Sequence, residues 1–176
     1  MATTPGTRFR SDSGWWLTQG ITGGILAGIV FAAFEMGMAA LLMGPAAFFA
    51  PLRMISAIAL GESALDPGYD LATAALTGIV VHLVLSAIFG AIFGLLVAGA
   101  PAMVNSSGGL VGAASIYGLL LWLVNFYLIA LAAGWTWFPE MTNPIVQFVA
   151  HTFFYGSVLG LYLSRAALPR RTTVTL

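Results

Sequence analysis

The stretch that decides the fold is 71–139, LATAALTGIVVHLVLSAIFGAIFGLLVAGAPAMVNSSGGLVGAASIYGLLLWLVNFYLIALAAGWTWFP. It contains no Asp, Glu, Lys or Arg. A bilayer-crossing helix takes about 20 mostly apolar residues, so the run is long enough for two. Gly99-Ala100-Pro101 and Asn105-Ser106-Ser107-Gly108-Gly109 divide it into two helices joined by a short polar turn. Upstream lies a third apolar run that Gly44-Pro45 stops. Downstream lies a fourth, opened by Asn143-Pro144, a cap with proline in the first turn. The reading is all-α: a polytopic membrane protein with four transmembrane helices in a bundle, at 17–43, 71–98, 110–133 and 144–164. Residues 1–16 and 165–176 form the tails.

The composition of all 176 residues agrees. Apolar residues make up 60% and charged residues 7%. Soluble domains are nearer 45–50% and 25%, so the lipid bilayer is the expected surrounding. Six Arg, no Lys and zero net charge exclude nucleic-acid binding. The absence of Cys excludes disulfides, thiolate metal sites and Fe–S clusters. The first apolar run is too long for a signal-peptide core, and Glu35 sits where a cleavage region would fall.

Arginines set the expected orientation. Arg8 and Arg10 precede the first span, and Arg165, Arg170 and Arg171 follow the fourth. The connection between the first two spans sets Arg53 against Glu62, Asp66 and Asp70. Both termini are therefore expected on the cytoplasmic side. Trp15 and Trp16 would mark the inner interface, and Trp135, Trp137 and Phe138 the outer one. Segment 44–61 is apolar but too short and too broken by Pro45 and Pro51 to span. It reads as an interfacial helix covering the bundle, lying on the outer interface or re-entering it, with a functional lid or partner-docking surface as the other possibility.

Small residues mark the packing faces, because helices in lipid approach closely where side chains are small. Gly20, Gly24 and Gly28 form one stripe on the first span. Gly78, Ser86, Gly90 and Gly94 form a second with His82 among them, and Gly156 and Gly160 belong to a third. These faces pack the bundle or meet another membrane subunit.

Ionisable groups inside a bilayer are expensive and are functional candidates by default. Glu35, His82 and His151 are the ones in the spans, and Asn125 is the other strongly polar residue at depth. Glu35 lies nine residues before Gly44, Asn125 nine before Gly134, and His151 eight after Asn143. With His82, each of the four helices brings one such group to roughly 12–18 Å below the outer ends. Gln147, His151, Tyr155 and Tyr162 share a face of the fourth helix away from Gly156 and Gly160. Glu35 and Asn125 each follow a glycine, Gly28 or Gly118, by seven residues, which suggests a duplicated hairpin.

Four chemistries fit this polar layer, with substrate or lipid binding as a fifth use. A hydrogen-bonded network would pair Glu35 with a histidine and use Asn125 and Gln147 for the remaining groups. A b-type haem would take His82 and His151 as axial ligands. One carboxylate and two imidazoles also suit a metal ion, although no H-x-x-E or E-x-x-H spacing supports one. A proton path would use Glu35 and the histidines, with Tyr117 and Tyr162 beyond. No soluble-enzyme motif is present, so no catalytic residue is assigned.

Three segments carry a resemblance: Val81-His82-Leu83-Val84-Leu85-Ser86-Ala87-Ile88-Phe89-Gly90, Gly112-Ala113-Ala114-Ser115-Ile116-Tyr117-Gly118-Leu119-Leu120-Leu121-Trp122, and Phe148-Val149-Ala150-His151. They resemble the YagU-like family of small bacterial inner-membrane proteins. The resemblance implies a bacterial inner-membrane protein without an assigned reaction, in a family linked to acid tolerance. The expected role is a non-catalytic accessory or assembly subunit of a larger membrane complex, plausibly an electron-transfer or energy-converting one. The alternative is a redox or proton-handling protein using Glu35, His82 and His151.

Overall fold

The computed structural model of the protein describes residues 12–100, 102 and 106–172. Arg8, Arg10, Pro101 and Asn105 lie outside the described residues. Among those described there is no strand. Four helices are long and apolar enough to cross a membrane: α1 (Ser13–Met43), α3 (Leu71–Gly99), α4 (Ser107–Ala132) and α6 (Pro144–Leu168). Between them lie α2 (Ala50–Leu60) and the single turn α5 (Trp137–Glu140). The end of the bundle away from the termini, with α2 and α5, is called distal below.

Local capping moves the span boundaries. The first helix starts at Ser13 rather than at residue 17, because the Asp12 carboxylate accepts the Trp15 N–H. Trp15 and Trp16 thus belong to its first turn. The third span starts at Ser107 rather than 110, capped by Ser106 Oγ on Gly109 N–H. The fourth does not end at 164: its helix continues to Thr172, so the tail expected from 165 begins as helix. Gly44, Gly61 and Gly134 hold φ values of 93°, 83° and 76°, a region that L side chains rarely adopt. They end the first span, α2 and the third span.

Glycine seams set the pairing. A methyl group on Gly20, Gly24 or Gly94 would collide with backbone of the facing span, so α1 and α3 touch main chain to main chain. Gly118, Gly156 and Gly160 do the same between α4 and α6. The pairs join where Tyr162 Oη donates to Gln19 Oε1 at 2.9 Å and Phe34 stacks on Phe154. Tyr117 Oη donates to Phe89 O at 2.8 Å, tying α4 to α3.

Segment 44–61 packs into the distal end of the bundle. Leu52 is 1% exposed, and its backbone rests against Gly78, seven residues inside α3 and roughly 10 Å below that helix's start. Ser56 and Ala57 are equally buried. The segment packs close because α3 offers a glycine where a side chain would have held it out. On its other side, Trp137 Nε1 donates to Met54 O at 3.2 Å, and Ala57 shares a core with Phe126, Ala130 and Phe138. Thus α2 is wedged between α3 and α4 in the distal half. Arg53 fastens it: the guanidinium donates to the carbonyls of Ala64, Asp66 and Tyr69.

Candidate intramembrane site

The wedge leaves a partly open space beneath it. A cavity of about 370 Å³ lies between α1, α2, α3, α4 and α6. Its walls are mostly apolar, with Leu52, Ile55, Phe89, Leu121, Ile129 and Phe138 among them. The four polar residues expected at one depth, Glu35, His82, Asn125 and His151, all reach it, and Gln147 joins them. The structure gathers the whole set from four helices.

Their pairing differs from the expected Glu35–histidine contact. Glu35, only 8% exposed, accepts a hydrogen bond from Gln147 Nε2 at 2.8 Å on Oε2. Its Oε1 is buried with no hydrogen-bond partner. The histidines bond to backbone instead. His82 Nε2 lies 2.8 Å from Gly28 O, and His151 Nδ1 lies 3.0 Å from Gln147 O. A carbonyl only accepts, so each of these nitrogens carries the proton. In the neutral rings, His82 Nδ1 and His151 Nε2 then hold lone pairs, with no hydrogen bond to either among the described residues. Backbone bonds of this kind fix the tautomer and the ring direction.

Phe31 joins the two rings. It stacks on His82 at 5.5 Å and meets His151 edge-on at 4.7 Å, so the imidazole centroids are no farther apart than the sum of those distances. Phe31 lies four residues before Glu35, on the same helix face. That spacing was the sequence signal for it. Among the described residues, no three His, Asp or Glu side chains gather as metal ligands.

Two backbone irregularities frame the site, and neither has a sequence signature. Helix α4 becomes a π-helix over Asn125–Ile129, and α6 over Ala150–Ser157. Asn125 opens one, and His151 and Tyr155 lie in the other. Such π-segments shift the hydrogen-bond register and occur frequently at functional sites. Asn125, His151 and Tyr155 in these segments line the cavity, and Gly118 packs against Gly156 beside them. Tyr155 Oη donates to Ser86 O at 2.7 Å, and both residues line the cavity.

The remaining expected residues serve packing. Gly20, Gly24 and Gly28 lie against Gly90, Gly94 and Ser86, while Gly156 and Gly160 lie against Ala114 and Val111. In both close pairs, the glycine seven residues before the polar group, Gly28 or Gly118, meets the partner span's histidine. Comparison of the chain with protein-family models, with curated proteins and with solved structures found no match.

Proposed function

We propose that the protein binds a lipophilic molecule with a hydroxyl-bearing head group in this cavity. The observation that carries the reading is the convergence of Glu35, His82, Asn125 and His151 on one largely apolar chamber in the distal half of the bundle. Ligand sites are typically concave and apolar, with a few placed polar groups. The two imidazole lone pairs accept from hydroxyls, and the carboxyl and the Asn125 amide supply further contacts. An aromatic diol such as a hydroquinone offers two donors at opposite ends of one ring. An imidazole that accepts a hydroxyl hydrogen bond is placed to take its proton, which retains the proton-handling reading. The membrane is proposed to be a bacterial inner membrane with both termini cytoplasmic, on the strength of the flanking arginines.

The test is a titration of tryptophan emission, since Trp135 lines the chamber. A decyl-hydroquinone is compared with its dimethyl ether, which keeps the ring and tail, adds a methyl at each oxygen and has no donors. The hydroquinone is expected to bind saturably and the ether to bind at least about tenfold more weakly, the effect of losing about 1.4 kcal/mol. Equal binding of the two would refute the assigned head group. The accessory-subunit reading, which rests on little extramembrane mass, the lack of a reaction motif and the small-residue faces, is retained as a second proposal; the glycine stripes themselves meet partners within the chain. Native mass spectrometry of gently extracted protein tests it, with a stable hetero-oligomer as the outcome in its favour.

A further inference from the structure

A second cavity, of about 440 Å³, lies on the distal side of Glu35. It shares Glu35, Gln147, Thr142, Pro51 and Met54 with the first, so these residues form a partition between the two. The second cavity is bounded by Arg53, Glu140 and Asn143 as well, residues of the distal end. The Glu35 carboxyl therefore borders two chambers, one largely apolar and one with charged groups at its boundary. Its Oε1 is buried and unpartnered, a costly state for a carboxyl that nothing serves.

We infer that Glu35 is a proton-exchange site supplied from the distal aqueous phase through this second cavity. Water entering past Arg53 and Glu140 reaches the carboxyl, which passes a proton to or from the first chamber. Only a proton moves: a carboxylic acid becomes a carboxylate when a group in the first chamber takes the proton, and distal water restores it. The titratable and charged groups facing this exchange are His82 from α3, His151 and Tyr155 from α6, Arg53 from α2 and Glu140 from α5. The inference does not rest on the hydroquinone reading, because the vestibule is tested without any ligand.

The chain has no Cys, so single cysteines can be introduced without background. Ala39→Cys and Val146→Cys line only the second cavity, and Val84→Cys faces outward from α3 at 53% exposure. Each is reconstituted in nanodiscs and treated with the charged reagent MTSET. Modification at 39 and 146 with none at 84 is expected by intact mass. Lack of modification at both cavity positions would mean a dry cavity and would overturn the inference. The proton is followed by the infrared carboxyl band that Glu35→Gln removes. That band is expected to shift in D2O, and MTSET-blocked Ala39→Cys is expected to lose the shift over the same interval. A shift unchanged by the block would place the proton route elsewhere and also overturn it.

Discussion

Gln147 donates its side-chain amide to Glu35 Oε2 at 2.8 Å, closing the polar layer between α6 and α1. The bond crosses 112 positions of sequence and is buried. It holds one carboxylate oxygen and leaves the other open, which gives this pair unequal mutational consequences.

Gln147→Leu strips the remaining partner from a buried carboxyl and is expected to cost about 1–3 kcal/mol. Glu35→Leu combined with Gln147→Leu removes both polar groups and is expected to recover much of that loss. Thermal unfolding in detergent, arranged as a double-mutant cycle, measures the coupling. Additive losses would show that the two side chains do not depend on each other.

The glycine seam predicts a sharp contrast on one helix. A methyl at Gly24 would strike the Ser86 carbonyl oxygen and the backbone of Gly90, whereas one at Gly37 meets open space. Gly24→Ala is expected to destabilise by about 1–3 kcal/mol through overpacking. Gly37→Ala is expected to be neutral or stabilising by up to about 1 kcal/mol. The same melting assay reads both, and similar effects would contradict main-chain contact between α1 and α3.

Arg53 predicts the fate of the wedge. Its fork binds three carbonyls of the segment from Ala64 to Tyr69. Arg53→Met is expected to cost about 1.5–3 kcal/mol, as for hydrogen bonds to a charged donor. Arg53→Lys is expected to restore little, because an ammonium lacks the planar fork. Hydrogen exchange of the amides from 61 to 69 is expected to accelerate in both variants. Protection equal to the parent's would show that α2 is held without Arg53.

Asp70 carries the pH prediction. Its carboxylate caps α3, accepting from Thr73 Oγ1 at 2.6 Å and from Thr73 N–H at 2.9 Å. The Thr73 hydroxyl first, and then its backbone N–H, hold this carboxyl below the ordinary aspartate value of 3.8. A depressed carboxyl stabilises fully above its unfolded value and loses that contribution as pH falls through the folded one. The cap therefore acts at neutral pH and fails only in acid below 3.8. Carbon NMR of the Asp70 carboxyl checks the midpoint, and a midpoint above the ordinary value would contradict the cap.

The spans were legible because lipid demands apolar length, and Leu71–Pro139 has no charge to misplace. The depth of Glu35, Asn125 and His151 was legible by counting from Gly44, Gly134 and Asn143. The partners were not: His82 and His151 bond to carbonyls, which every residue possesses. The π-segments at Asn125 and His151 shift backbone hydrogen bonds without changing composition. The depth of Leu52 was hidden for a different reason. A proline-broken apolar segment reads alike on an interface or inside a bundle, and only Gly78 across the gap decides it.

The central claim is that the chamber beneath α2 is a binding site rather than packing space. Photolabelling of the bilayer-embedded protein with a diazirine-bearing alkyl hydroquinone tests it most directly, with adducts mapped by peptide mass spectrometry. The predicted adducts fall on Leu85, Phe89 and Leu121 and are suppressed by excess decyl-hydroquinone. Adducts confined to lipid-facing Leu76, Ile116 and Leu128, and indifferent to the competitor, would contradict the claim.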